Sequence, residues 1–134
     1  MRNALLLLTV AGFLTAFSSA ARAEDRVFEL RTYTAADGKL DALKARFKDH
    51  TNAIFNRLHM QIIGFWTPTD GDKSKNTLIY ILAFPSRDAA TKAWAAFQAD
   101  PEWIKVRDES EKNGKLAIKV ESVFMSPTAF SPVK

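Results

Sequence analysis

The chain has 134 residues, 19 Lys and Arg against 15 Asp and Glu, a formal net charge of +4 and no cysteine. This length supports one domain with one hydrophobic core. The missing cysteine excludes disulfides, thiolate metal sites and a lipidated N-terminal Cys, and no Lys/Arg cluster with interleaved aromatics marks a nucleic-acid surface.

Arg2 precedes an apolar stretch at 4–17, and Ala21-Arg22-Ala23 supplies small residues ahead of a cut. That pattern predicts a secretory signal peptide over 1–23, cleaved after Ala23. The apolar run is shorter than the roughly 20 residues that span a bilayer. The expected mature domain, 24–134, keeps 17 basic residues against 15 acidic ones once Arg2 and Arg22 are gone. It is expected in the periplasm or outside the cell, with no membrane contact after cleavage. Without disulfides it depends on its core or on association.

Residues 27–33 alternate as a strand, with Phe28, Leu30 and Thr32 on one face and Val27, Glu29, Arg31 and Tyr33 on the other. Asp37-Gly38 breaks it, and Asp37 is the expected N-cap of the next element. Over 39–58, Leu40, Leu43, Phe47, Ile54 and Leu58 form one helical stripe, with Lys39, Asp41, Lys44, Lys48 and Asn52 among the residues on the solvated side. A second strand is expected at 62–67, then a polar loop at 69–75. Residues 78–84, Leu-Ile-Tyr-Ile-Leu-Ala-Phe, form a strand apolar on both faces, so both faces need cover. Ser86 caps a helix containing Ala90, Ala93, Trp94 and Phe97, and Asp100-Pro101-Glu102 restarts it. Asn113-Gly114 ends that piece, the last strand is 117–125, and a Pro-punctuated tail occupies 126–134.

The order βαββαβ predicts an α+β, ferredoxin-like sandwich: a four-stranded antiparallel sheet with both helices on one face. The other face is expected to carry Tyr33, Phe65 and part of strand 78–84, too apolar to stay wet. A second copy meeting it sheet to sheet is the economical cover, so a homodimer is expected.

Phe28-Glu29-Leu30-Arg31-Thr32-Tyr33-Thr34, Gly38-Lys39-Leu40, Gly64-Phe65-Trp66, Asp100-Pro101-Glu102-Trp103 and Pro127-Thr128-Ala129-Phe130-Ser131-Pro132 together resemble the NIPSNAP family, within the dimeric α/β-barrel group. The family tail often reads Arg-Pro-x-Pro before the aromatic, and Ser126 and Ala129 depart from it. The resemblance implies the dimeric barrel and brings no established catalytic residue. The trafficking role of mitochondrial members does not carry over to an exported chain.

Among single residues, His50 lies on or beside the buried stripe and is a candidate base or ligand, with Arg46 one turn earlier. A backbone-bonded histidine is the plainer account. His59 at a helix end suits the dipole. Glu29, Arg31, Lys119 and Glu121 are expected to pair across neighbouring strands, or Arg31 to hold a carboxylate or enolate in a pocket. Tyr80, Trp94, Phe97 and Trp66, with His50 and Arg46, are the candidate pocket residues for a flat apolar ligand. Asp70-Gly71-Asp72 fails as a calcium loop, since Lys75 and Ile81 stand where Gly and Glu are required. No metal site is expected, and no cofactor, with haem on His50 as the alternative. No zinc-protease, nucleophile-elbow or phosphate-loop motif occurs. The expected function is therefore a homodimer binding a small, largely apolar or aromatic molecule between helices and sheet. Cofactor-independent oxygenation or isomerisation, or an envelope interaction module using 69–76 or 126–134, are the alternatives.

Overall fold

The computed structural model describes residues 26–134. The expected leader and its cleavage site lie outside the described residues. The alternating residues after Arg26 form β1 (Val27–Ala35), and Gly38 turns the chain at φ +69°. Asp37, expected to cap the first helix, is exposed in that turn; the residue ahead of the helix is Lys39, and no side chain caps it. The Lys39 N–H instead bonds the Ala36 carbonyl at 2.9 Å.

The stripe expected as one helix is helical throughout but has a π-turn at its centre. It runs as α1 (Leu40–Arg46), a π segment (Phe47–Thr51) and α2 (Asn52–Arg57). Leu40, Leu43, Phe47 and Ile54 are buried. The wider turn inserts an extra residue and so rotates α2 relative to α1. Thr51 becomes buried, its hydroxyl donating to the Arg46 carbonyl at 3.3 Å, and Ile54 and Phe55 both turn inward. His59 ends the run at φ +57°. Its N–H bonds the Asn56 carbonyl and the Met60 N–H bonds that of Phe55, the paired bonds of a Schellman closure.

β2 (Gln61–Trp66) comes next, and the expected polar loop ends in a helical turn, α3 (Lys73–Asn76). β3 (Thr77–Phe84) leads to α4 (Arg87–Ala99), where Ser86 Oγ accepts the Ala89 N–H at 3.1 Å. α5 (Pro101–Ser110) begins on Asp100, whose carboxylate accepts the Trp103 N–H at 3.0 Å. β4 (Ala117–Met125) closes the sheet.

The strands pair antiparallel in the order β2-β3-β1-β4, the ferredoxin-like arrangement. β3 lies inside the sheet, and Leu78, Tyr80, Leu82 and Phe84 are buried beneath the helices. Opposite Tyr80 in register are Arg31 and Phe65. Tyr33 and Phe65, expected on the open face, therefore belong to the helix side, each packing on Phe47 and Tyr80 at ring separations of 5.2 to 5.6 Å. The open face carries Leu30, Ile79 and Ile81, which are only half-buried, so the strand expected to be covered on both sides is fully covered on one. The tail crosses one end of that face over Phe28, and Arg26 reaches the Lys134 carbonyl.

Candidate functional site

Alternation along β1 points Glu29, Arg31 and Tyr33 toward the helices. Glu29 is 1% exposed. A carboxylate so deep must have its charge and its lone pairs satisfied. Arg31 Nη1 donates to Glu29 Oε1 at 2.8 Å, Ser122 Oγ donates to the same oxygen at 2.6 Å, and Trp94 Nε1 donates to Oε2. Arg31 also lies over the Trp94 ring, 4.2 Å from its centroid, which is cation–π distance. Its Nη2 meets the Tyr33 hydroxyl at 3.4 Å, and Tyr80 donates to that hydroxyl at 3.2 Å.

Burial alone works against the Arg31 charge. Tyr80, Tyr33 and the hydrogen bonds to Glu29 and Tyr33 together outweigh it, holding the guanidinium pKa above its ordinary value. Burial pushes the Tyr80 phenol well above its usual range, with Tyr33 adding and Arg31 opposing. The cluster is thus an ion pair of Glu29 and Arg31 beside two hydrogen-bonded tyrosines. The expected cross-strand quartet does not form. Lys119 pairs with Glu121 along β4 at 3.0 Å, and Glu121 stands opposite Thr32 on the other face of the sheet.

A cleft of about 330 Å³ opens between the first helical run and the β2 edge. Phe47, Phe65 and Leu78 line its apolar part. Lys44, Lys48 and Asn52 come from one side, each four residues after the last, and Thr67 from the other. Such spacing places three side chains on one helix face, and the π-turn sits beneath them. Asn52 Oδ1 is buried with no hydrogen-bond partner. A lost partner at a buried amide oxygen costs about 1–3 kcal/mol, so this atom calls for a donor from outside the chain.

The candidate residues disperse over three places. Tyr80, Trp94 and Phe97 do gather, but Phe55 fills the space among them at ring separations of 6.1, 5.8 and 5.0 Å, leaving packed core where a pocket was expected. Of the expected pocket residues, Trp66 alone lines the cleft beside Phe65. His50 is exposed, not on the buried stripe, because the π-turn swings it outward. It lines a separate cleft toward α5 with Asp49, Arg46 and Glu109, where no aromatic wall exists to hold a haem. Arg46 is buried there as a pin, bonding Ser110 Oγ at 3.2 Å and Glu111 at 3.0 Å. Lys48, Asn52 and Thr67 were not among the expected site residues. The four-residue spacing of Lys44, Lys48 and Asn52 was their only signal, and it reads equally as a solvated face.

The NIPSNAP family model matches residues 28–132. Comparison with functionally curated proteins gave no match. Among solved structures, a NIPSNAP family protein of unknown function from Agrobacterium tumefaciens is similar at 25% identity and a TM-score of 0.71, covering 83% of this chain and 96% of its own. An uncharacterised NIPSNAP-like domain protein from Burkholderia xenovorans is 18% identical, with a TM-score of 0.71 over 81% of this chain and 90% of its own. SnoaB, a cofactor-independent oxygenase from Streptomyces nogalater, is 18% identical at a TM-score of 0.53, over 81% and 98% of the two chains, a likeness of fold.

Proposed function

The chain belongs to the NIPSNAP family, and from that premise we propose that it binds a small, largely apolar or aromatic molecule in the cleft between its first helical run and β2. The observation that carries this reading is the unpartnered Asn52 Oδ1 beside an apolar floor. A concave, mostly apolar lining with a few convergent polar groups is the ordinary form of a small-molecule site. The expected leader supports action outside the cytoplasm, and the apolar open sheet face supports a homodimer. The role is binding. The groups lining the cleft include no carboxylate or imidazole to serve as a general base.

The test uses 2-naphthol as a neutral aromatic probe. Saturable binding by calorimetry is expected, together with a raised melting temperature. Thr67→Trp, an exposed position at the cleft mouth, is expected to abolish binding while leaving the circular dichroism unchanged. Binding that survives Thr67→Trp unaltered would place the probe elsewhere and overturn the reading.

A further inference from the structure

The polar groups of the cleft are not a random rim. Of its two cations, Lys44 already holds Asp41 at 2.8 Å. Lys48 forms no ion pair among the described residues. No acidic residue lines the cleft, so nothing there opposes a negative ligand. Deeper in, one turn along the same helix face, stands the Asn52 amide oxygen with no donor. Phe47, Phe65 and Leu78 line the same cleft.

We propose that the cleft selects an aromatic acid that also carries a hydroxyl: the carboxylate meets Lys48 at the mouth, the ring rests on Phe47 and Phe65, and the hydroxyl donates to Asn52 Oδ1. This rests on the binding reading above and adds the charge and the donor to it. Three features require that order. A strongly hydrated ammonium on a flexible stem engages an anion best where solvent still reaches it. A buried acceptor is satisfied by a neutral O–H donor without bringing a second charge into the interior. The uncharged, aromatic-lined stretch between the two matches a ring and not a polar linker.

Calorimetric titration of the purified protein with 2-naphthol, 2-naphthoate and 6-hydroxy-2-naphthoate tests it. At low salt, 6-hydroxy-2-naphthoate is expected to bind about three- to fivefold tighter than 2-naphthol, which shares its hydroxyl and lacks its carboxylate, the gain a rim ion pair supplies, and the gap should close as salt rises. Lys48→Gln should erase that gap. The hydroxyl of 6-hydroxy-2-naphthoate should make it about fivefold tighter than 2-naphthoate, a difference lost in Asn52→Ala. Equal affinity for 2-naphthol and 6-hydroxy-2-naphthoate, with both still blocked by Thr67→Trp, would overturn the acid assignment and leave the cleft reading standing. No binding of any of the three would overturn both. Loss of all three ligands equally in Lys48→Gln would also overturn it, because the lysine would then be shaping the cleft and not reading charge.

Discussion

Glu29 accepts from an arginine, a serine and a tryptophan that arrive from β1, β4 and α4, so one buried carboxylate ties three elements together. Removing one member of a buried pair leaves the other charge unsatisfied, at a cost of about 3–5 kcal/mol. Glu29→Ala strands Arg31, whose side chain is 16% exposed, and is expected to fall near the low end of that range. Glu29→Gln keeps a carbonyl for Trp94 or Ser122 and should cost less. Urea midpoints of the two variants check this: equal and small losses would show that water already screens the pair. The sequence places Glu29 and Arg31 on one strand face by alternation. It cannot place Ser122, 93 positions away, or Trp94, 65 away, because those distances are closed only by the sheet register and the seat of α4. For the same reason the expected cross-strand pairing of four charges was wrong: Lys119 and Glu121 lie one residue out of phase with Arg31 and face the other way.

At the scale of elements, helix ends carry clear chemistry. His59 holds a left-handed φ of +57° that L side chains resist, in a closure glycine usually supplies. His59→Gly relieves that strain and loses part of the gain to the unfolded chain's freedom. A net stabilisation of about 0.5–1 kcal/mol is expected, read as a raised melting temperature; a lowered one would mean that the imidazole itself secures the helix end. Asp100 serves α5 in a second way, through Arg57, whose two nitrogens reach its carboxylate at 2.8 and 3.0 Å. That pair first, and the Trp103 N–H next, hold the Asp100 carboxyl below its ordinary value. A depressed folded pKa means its stabilisation is complete above the unfolded value near 4 and disappears as pH falls through the folded one. Urea midpoints measured from about pH 5 to about pH 2 should therefore fall more steeply for the native protein than for Asp100→Asn. Parallel slopes would remove Asp100 from the acid response. This cap was legible, since Asp-Pro-Glu states a helix start in three residues. The π-turn was not. Its extra residue leaves the spacing of Phe47 and Ile54 compatible with one ordinary helix, yet it decides that His50 faces solvent and that Lys48 and Asn52 flank the cleft.

The whole molecule leaves one question of cover. Strand order and antiparallel pairing come from the βαββαβ sequence, and so does the shortage of helices for the second sheet face. Leu30, Ile79 and Ile81 occupy the middle of that face, half-buried, with Trp66 50% and Val123 54% exposed around them. The tail does not resolve the shortage. It bridges one end and leaves an open groove of about 450 Å³ against it, lined by Phe28, Ile63, Ile81 and Met125. Monomers rarely leave so continuous an apolar patch. In the proposed homodimer, a second copy applied through a twofold axis would bring the same residues to both sides and cover what the tail leaves open. On this proposal the purified protein runs as two chains by light scattering. Ile81→Lys puts a charge at the centre of each sheet, where the twofold sets two lysines close together across a desolvated interface. The variant should run as one chain with unchanged far-ultraviolet circular dichroism, because the helix side of β3 is untouched. A native protein that is one chain at micromolar concentration would instead leave the tail as the cover among the described residues, and its deletion should then expose the face and precipitate the protein.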